Sequence, residues 1–375
     1  MRFGIPKEAP IGPQYEEKRV ALSPAGVRDL VDMGAQVVVE SGAGAQAGFA
    51  DDLYRTMGAH VVYSHEEVFG RAETVVKIGR PTLQELALLS PDSSVVAAWH
   101  LAIRGEQSLS ELLSRRITAL GLEVIQDDDG TLPIVQASSE IAGKMAPQIA
   151  GRLLETTSGG HGILLGGGPG IPPADVVIIG AGTLGYHAAR SFIGLGCMVY
   201  VLDISRRKLE MIDRAFNSRA VTAYATHENL DKCAKFAEVL IGAVLVPGQM
   251  APIVVTRQQV QKMRPGSVIL DFAYDHGGCV ETTRLQGPTP GGVFVREGVL
   301  HFAVPNCPSF VARTATHALT YALLPFLGNM QGGGLRGAMS SSPGLRRGCY
   351  TYRGEMVSPH ITKTPADLMA LLQEG

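Results

Sequence analysis

The amino-acid sequence predicts an α/β protein with two domains, both doubly wound parallel sheets with flanking helices. The length of 375 residues exceeds what one hydrophobic core usually holds. Short apolar runs rich in β-branched residues alternate with helical stretches over residues 1–125, and a second such series begins at Asp175. Because strands that alternate with helices pair in parallel, each series predicts a sheet covered by helices on both faces.

The first series contains four predicted strands and three predicted helices. The strands cover residues 36–40, 74–77, 95–98 and 122–125, and the helices cover 24–33, 81–89 and 106–115. Ser23 followed by Pro24 is typical of a helix start, because serine accepts a hydrogen bond from the first turn and proline fits the first helical position. A further helix is predicted over 139–154, followed by a glycine- and proline-rich loop over 158–173.

The second series has the same alternation. The predicted strands are 176–179, 198–202, 239–246 and 267–271, and the predicted helices are 183–194, 206–216, a long apolar 309–327 and a short 365–373. A polar turn cluster at 127–131 and the change of pattern near Pro305 mark the boundaries. We therefore predict one domain formed by residues 1–130 plus 305–375 and another formed by 131–304.

Composition and charge exclude several functions. The formal charge of −2 argues against a nucleic-acid-binding protein, and no apolar run reaches the roughly 18 residues of a membrane span. The first eight residues lack the apolar core of a signal peptide. The five cysteines are scattered without a Cys-x-x-Cys pair, which indicates buried thiols in a reducing compartment, so a cytoplasmic protein is expected. His276, His301 and Cys307 match no familiar ligand spacing, so no metal site is predicted.

A glycine motif predicts a dinucleotide-binding Rossmann domain at 131–304. Gly180, Gly182 and Gly185 form Gly-x-Gly-x-x-Gly between an apolar strand and a helix, and Asp203 ends the next strand. The first glycine permits the tight turn, the second lets the backbone approach a pyrophosphate, and the third permits close helix–strand packing. A carboxylate at the position of Asp203 accepts hydrogen bonds from the adenosine ribose. NAD is therefore the predicted cofactor, although Arg206 and Arg207 leave NADP open.

Many further motifs resemble the alanine dehydrogenase/pyridine nucleotide transhydrogenase family. They run through nearly the whole chain, and include residues 4–8, 18–24, 76–77, 100–102, 139–143, 166–173, 265–268, 275–279 and 305–306. The resemblance implies NAD-dependent oxidative deamination of an L-amino acid to its 2-oxo acid and ammonia, and the reverse amination. It also implies two-domain subunits with the active site in the cleft, assembled as a homohexamer.

The resemblance assigns roles to individual residues. Arg19 and Lys77 match the pair that binds the substrate carboxylate, although the neighbours of Arg19 alone favour a solvated charge. His100 matches the residue that exchanges a proton with the substrate; by itself it would read as a core histidine. Asp275 matches the residue that activates water or ammonia, with a turn-capping aspartate as the alternative.

Two weaker assignments concern the cofactor. Ser139 matches a position toward the pyrophosphate, and Asn306 one toward the nicotinamide or the substrate.

Three of the positions that depart from the family pattern would shape the pocket for the substrate side chain. Ala98, Val135 and Ser138 stand where the resemblance implies tyrosine, leucine and methionine, respectively. Each change removes volume near the substrate side chain, so we expect a substrate bulkier than alanine. Two other functions stay open: a secondary-amine-forming dehydrogenase of the opine or saccharopine type, and an NAD-binding subunit like the soluble part of transhydrogenase.

Overall fold

The computed structural model describes residues 1–10, 15–104, 106–284, 289–362 and 364–374. The described chain forms two compact units. The first unit comprises residues 1–138, 247–249 and 308–375, and the second comprises 139–246 and 250–307. Each unit contains one sheet flanked by helices, so the predicted α/β class is confirmed.

The described residues up to 121 form six strands and six α-helices. The strands are β1 (Arg2–Ile5), β2 (Gln36–Glu40), β3 (His60–Val62), β4 (Thr74–Val76), β5 (Ser94–Ala97) and β6 (Thr118–Gly121). The helices are α1 (Pro24–Asp32), α2 (Asp51–Thr56), α3 (His65–Arg71), α4 (Leu83–Leu88), α5 (Leu101–Arg104) and α6 (Glu106–Ser114). Helix α1 begins as predicted, because the Ser23 hydroxyl accepts a hydrogen bond from the Gly26 amide.

The strand predicted over 122–125 is wrong, because β6 ends one residue earlier. The amides of Val124 and Ile125 both donate to the Gly121 carbonyl at 3.1 Å, which turns the chain away from the sheet. These residues are apolar because they are buried: Val124 is 2% exposed and Ile125 is fully buried. The segment Leu-Glu-Val-Ile, with three apolar residues of four, therefore forms a buried turn instead of a strand.

The described residues in the middle of the chain form six α-helices and seven strands. The helices are α7 (Pro133–Leu154), α8 (Thr183–Gly194), α9 (Arg206–Ala215), α10 (His227–Ala234), α11 (Arg257–Val260) and α12 (Glu281–Arg284). The strands are β7 (Asp175–Ile179), β8 (Met198–Asp203), β9 (Ala220–Tyr224), β10 (Val239–Gly242), β11 (Val268–Asp271), β12 (Val293–Arg296) and β13 (Val299–Phe302). The strand predicted over 239–246 thus ends at Gly242.

The sheet of the second unit has the strand order of a dinucleotide-binding fold. The order is β12-β13-β11-β10-β7-β8-β9, and every pair is parallel except β12–β13. Without β12, this is the doubly wound order 3-2-1-4-5-6. The direction of winding reverses between β7 and β10, which is where open α/β sheets bind ligands.

The last part of the chain returns to the first unit, where its described residues form three α-helices and two strands. These are α13 (Ala312–Ser341), α14 (Pro343–Arg347), β14 (Cys349–Tyr352), β15 (Glu355–Met356) and α15 (Leu368–Glu374). The helix predicted over 309–327 continues to Ser341, with one non-helical residue, Gly334, at φ 64°. It continues because Met330 and Met339 beyond the predicted end are fully buried, so packing outweighs the low helix propensity of glycine.

The sheet of the first unit is parallel in its centre and antiparallel at one edge. Its order is β15-β14-β6-β5-β4-β1-β2-β3, with β14 antiparallel to both β6 and β15. Successive residues of a strand face opposite sides: Val37 and Val39 belong to one hydrophobic cluster, and Val38 belongs to another. The antiparallel edges of both sheets were not part of the prediction.

Candidate functional site

Lys77 lies directly after β4, and its ammonium group is buried in the first unit. The side chain is 0% exposed, and Nζ lies 2.5 Å from Glu85 Oε1 and 4.0 Å from Glu8 Oε2. The Lys77 amide donates to the Val96 carbonyl, which extends the ladder between β4 and β5 by one residue. A buried cation at the carboxyl end of a parallel strand is positioned to attract an anion, because such ends face ligand crevices.

Glu8 is the weaker of the two carboxyl partners of Lys77. Its two oxygens accept hydrogen bonds from the Ile78 amide at 2.6 Å and the Gly79 amide at 3.0 Å, which fixes the chain after Lys77. Burial raises the pKa of Glu8 to about 7, against the opposing effect of the Lys77 charge. Near neutral pH the Glu8 carboxyl is therefore only partly ionised, so it offsets only part of the positive charge of Lys77.

Arg19 is buried, so the solvated charge that its sequence neighbours favoured is wrong. The residue is 5% exposed, and its guanidinium forms a two-point pair with Glu17: Nε to Oε1 and Nη2 to Oε2, both at 2.7 Å. The charge of Glu17 also contributes to the raised pKa of Glu8, so the Arg19 pair lies near the Lys77 cluster. The fold thus brings both predicted carboxylate-binding residues into one charged region.

His100 follows β5, the strand next to β4, in an unusual backbone conformation. Its φ is +46°, in the left-handed region that non-glycine residues seldom adopt. The His100 and Trp99 amides donate to the Glu123 carboxylate at 2.6 and 3.2 Å, and the Tyr350 hydroxyl donates to it at 2.9 Å. Backbone strain held by a buried carboxylate is typical of functional sites, and the half-buried His100 is not a core histidine.

The glycine motif forms the turn between β7 and α8. Gly180 has φ +107°, and a Cβ atom there would lie 2.3 Å from the Ala243 carbonyl oxygen. A Cβ on Gly185 would lie 1.8 Å from the Gly180 oxygen, whereas one on Gly182 would meet nothing within 4 Å. Gly182 is also the N-cap of α8 and provides no side-chain cap for the first helical amides. The turn therefore offers open space and amide donors to a phosphate.

Asp203 ends β8 and is 8% exposed. Its Oδ2 accepts from the Ala181 amide inside the glycine turn at 2.7 Å, and its Oδ1 accepts from the Ser205 amide at 2.8 Å. The carboxylate therefore fixes the glycine turn, and each oxygen retains lone-pair capacity for a further donor such as a ribose hydroxyl. Ser139 lies half-buried on α7, one turn before Gly143, whose Cβ position is 2.5 Å from the Leu184 oxygen of α8.

Asp275 and Asn306 lie together in the second unit. Asp275 lies in a 3₁₀ turn (Tyr274–His276) shortly after β11, and its Oδ2 accepts from the Asn306 amide at 3.2 Å. Asn306 has φ +58°, so it shares the left-handed conformation of His100. Both residues are half-buried. The Asp275 carboxylate thus stabilises the left-handed conformation of Asn306. The sequence alone had also allowed a simple turn cap for Asp275, and this contact goes beyond that role.

No metal site is formed by the described residues: no group of three or more His, Cys, Asp or Glu side chains comes together there. His301 is buried, and its Nε2 lies 2.8 Å from the Thr282 hydroxyl. Burial lowers the pKa of His301 to about 4, so the ring is neutral. All five cysteines are buried, and none forms a disulfide. Among the helices of the described chain, none is long and apolar enough to cross a membrane.

Four functional partners were not found from the sequence: Glu8, Glu85, Glu123 and Tyr350. Glu8 belongs to a family-like motif, but its spacing from Lys77 carries no signal. Tyr350 donates to Glu123 across 227 residues of sequence, which no local pattern reveals. Glu8 and Glu85 lie next to Lys77, Glu123 accepts from the His100 amide, and Tyr350 donates to Glu123, so these partners are identified only by the tertiary fold.

Both halves of the chain match one protein family. Residues 4–142 match the alanine dehydrogenase/PNT N-terminal domain, and residues 146–359 match the alanine dehydrogenase/PNT C-terminal domain. The alanine dehydrogenase of Methanococcus maripaludis is 37% identical over 373 residues, which covers 98% of this chain and 99% of that protein.

Solved structures give the same result. A structure of an L-alanine dehydrogenase has a TM-score of 0.89 and 38% identity, covering 97% of this chain and 98% of that one. A transhydrogenase from Sinorhizobium meliloti shares the fold, with a TM-score of 0.78 at 24% identity over 96% of this chain and 99% of that one. On the evidence of both domain matches and of full-length relatives above 30% identity, the chain belongs to the alanine dehydrogenase/PNT family.

Proposed function

We propose that this protein is an NAD-dependent, alanine dehydrogenase-like enzyme that converts an L-amino acid and water to the 2-oxo acid and ammonia, and catalyses the reverse amination. Similarity to alanine dehydrogenases along the whole chain supports the reaction class. The single structural observation that supports the proposal is the complete burial of Lys77. Its fully buried ammonium is held by Glu85 at the carboxyl end of a parallel strand, the end that faces ligand crevices, and a substrate carboxylate is a further anion that this cation can attract there.

Substrate binding is assigned to Lys77 and Arg19. Lys77 supplies a compact charge that reaches the carboxylate and the 2-oxo group, and Arg19 supplies a planar fork. Glu17 orients the Arg19 guanidinium through two 2.7 Å contacts. Since the Glu8 carboxyl has a pKa of about 7, it is partly protonated at neutral pH and leaves part of the Lys77 charge for the substrate.

Proton transfer is assigned to His100. An imidazole donates a proton to the substrate oxygen during amination and accepts it back during deamination. The Glu123 carboxylate holds the His100 backbone through its amide. Asp275 is assigned to the activation of water or ammonia, and its contact with the Asn306 amide holds Asn306 for the substrate or the nicotinamide.

The residues of the second unit fit NAD. The open space at Gly182, the uncapped amides of α8 and the carboxylate of Asp203 match the pyrophosphate and ribose of a dinucleotide. Bound NAD supplies the hydride acceptor for the substrate α-carbon. Asp203 orients the adenosine ribose and repels a 2′-phosphate, which favours NAD over NADP, and Ser139 is assigned to the pyrophosphate region.

The residues that depart from the family pattern support a substrate bulkier than alanine. Ala98, Val135 and Ser138 are all half-buried, and all are smaller than the tyrosine, leucine and methionine implied by the resemblance. One buried methylene changes discrimination by about 1–3 kcal/mol, so three smaller side chains are enough to change the preferred substrate.

Two further parts of the proposal concern assembly and location. From the family resemblance we propose that the protein assembles as a homohexamer. Light scattering on the purified protein tests this oligomeric state. The five buried thiols, none of them in a disulfide, fit a reducing compartment, so we assign the enzyme to the cytoplasm.

The test is a panel of L-amino acids with NAD⁺ or NADP⁺, followed by NADH absorbance on the purified full-length protein. We expect NAD⁺-dependent turnover, with a larger aliphatic or polar amino acid preferred to alanine. A clear preference for alanine would overturn the bulkier substrate alone. No turnover of any amino acid, and none of 2-oxo acids with ammonium and NADH, would overturn the proposed function.

A further inference from the structure

A continuous row of charged groups extends from Lys77 into the first unit. Glu85 Oε1 lies 2.5 Å from Lys77 Nζ and 3.2 Å from His65 Nε2. The other ring nitrogen of His65, Nδ1, lies 2.6 Å from Glu40 Oε2. His65 therefore bridges two carboxylates, and one of them is the principal partner of the buried ammonium.

Both carboxylates are fixed by backbone amides. Glu85 belongs to the capping box of α4: its Oε2 accepts from the Thr82 amide at 2.6 Å, while the Thr82 hydroxyl accepts from the Glu85 amide. Glu40 ends β2, and its Oε2 accepts from the Lys7 amide at 2.8 Å. Because the carboxylates cannot move freely, the proton on His65 is the adjustable part of the row.

The charged groups facing His65 come from several elements. Glu40 approaches from β2, Glu85 from α4, and Glu66 is its neighbour on α3, where Glu66 bonds to the Ser64 hydroxyl. Lys7 after β1 acts on Glu40, and Lys77 after β4 acts on Glu85. The Phe69 ring lies 4.9 Å from the imidazole centre. Carboxylates thus dominate the surroundings of His65.

This environment keeps His65 protonated at neutral pH. The hydrogen bonds to Glu40 and then to Glu85 raise the pKa of His65 to about 9, although burial opposes them. Burial alone would raise the pKa of Glu85, but the His65 bond and the Lys77 charge outweigh it and lower this pKa to about 2. At pH 8 the negative charge of Glu85 is therefore shared between two cations.

We propose that His65 is a positioning residue that shares the charge of Glu85 and thereby keeps the Lys77 ammonium available to a substrate carboxylate. The inference rests on the proposed role of Lys77 in the reaction. When His65 loses its proton, Lys77 is the cation that remains in contact with Glu85. The two charges of that pair nearly cancel, so the pair attracts an incoming anion only weakly. The affinity for the carboxylate then falls, while the proton exchange assigned to His100 is not directly changed.

The experiment measures the Kd of pyruvate for the full-length protein with saturating NAD⁺ and without ammonium, between pH 8 and pH 10. Pyruvate keeps one negative charge over this range, and NAD⁺ cannot reduce it. We expect the wild-type Kd to increase about fivefold as the pH passes 9. The His65→Gln variant should have the weaker Kd already at pH 8, without a step near pH 9. The His60→Gln variant, which changes an exposed histidine of β3, should behave like the wild type.

A second variant tests the same inference in a protein that keeps the imidazole. Glu40→Gln removes the strongest hydrogen-bonding carboxylate of His65, so the step in the pyruvate Kd should move from about pH 9 to a lower pH. A step that stays at pH 9 in Glu40→Gln, or a wild-type Kd profile in His65→Gln, overturns the proposal.

Lys77→Met separates this inference from the proposed function. Wild-type affinity of Lys77→Met for pyruvate would remove Lys77 from substrate binding, and the proposed function of the cluster would fail. If Lys77→Met loses affinity while both His65→Gln and Glu40→Gln keep the wild-type profile, only the role of His65 fails. Circular dichroism of each variant confirms that the fold is retained.

Discussion

Replacement of Glu123 by glutamine tests how the fold holds His100. The Glu123 carboxylate accepts from the Trp99 amide on Oε2 and from the His100 amide and the Tyr350 hydroxyl on Oε1. Glutamine has nearly the same shape, but it has one acceptor oxygen and an NH₂ group in place of the second. One of the two backbone amides therefore loses its acceptor in a site where Glu123 is only 5% exposed.

The magnitude follows from these contacts. A buried donor without an acceptor costs about 1–3 kcal/mol, and a hydrogen bond to a neutral oxygen is about half as strong as one to a carboxylate. The left-handed conformation of His100 costs about 1–2 kcal/mol, which the Glu123 contacts offset in the native protein. We expect Glu123→Gln to lower the free energy of unfolding by about 2–4 kcal/mol and, because His100 relaxes, to lower kcat by about 100-fold.

Urea denaturation followed by circular dichroism measures the stability, and NADH absorbance measures kcat and KM. Tyr350→Phe is the matched control: it removes one hydroxyl donor, leaves both amides on the carboxylate, and should cost only about 1 kcal/mol. The KM for the 2-oxo acid should change little in Glu123→Gln, since Arg19 and Lys77 are untouched. Unchanged stability and unchanged kcat in Glu123→Gln, or a larger loss in Tyr350→Phe, would refute the reasoning.

Three other predictions concern the glycine turn, acid stability and the thiols. Gly185→Ala should destabilise the second unit and abolish NADH binding in a fluorescence titration, because its Cβ would lie 1.8 Å from the Gly180 oxygen. Gly182→Ala has open space around its Cβ, so it should keep the stability of the protein and lower only its affinity for NADH. Because the pKa of Glu85 is lowered in the folded protein, the free energy of unfolding should decrease by roughly 2–3 kcal/mol as the pH falls from 4.5 towards 2. Glu85→Gln should lack this contribution to the pH dependence, whereas the control Glu111→Gln, which changes an exposed ion pair, should retain it. The five cysteines should react with Ellman's reagent only after unfolding; rapid labelling of the native protein would contradict their burial.

Local sequence signals predicted β2, β4 and β5 of the first sheet and β7, β8, β10 and β11 of the second, but they missed β1, which lies between β4 and β2. The strand Gln36–Glu40 and the helix Thr183–Gly194 have the predicted bounds, because an uninterrupted apolar run and a glycine-led helix start are properties of adjacent residues. The edges were missed, because β14 pairs with a strand that lies more than 200 residues earlier. No local pattern distinguishes such a strand from a loop.

The candidate site likewise contains residues that local sequence signals predicted and residues that only the fold identifies. The glycine turn and Asp203 were predicted from spacing, and the structure joins them through the Ala181 amide. The burial of Arg19 contradicts its charged neighbours, since Glu17 folds back to pair with it. Glu123 and His65 act through contacts between elements, so their importance depends on tertiary packing and is invisible in the sequence.

The pairing of β14 with β6 has a consequence for biosynthesis. The ribosome releases β6 long before β14, which is separated from it by 232 residues, or roughly 10–45 s at ordinary elongation rates. The second unit, in contrast, is nearly contiguous in sequence and has all its strands once residue 307 has emerged. During that interval β6 is an open edge with unpaired amides, which invites association between nascent chains. The second unit can therefore complete its sheet before the first unit, whose sheet gains β14 only after those residues have been synthesised.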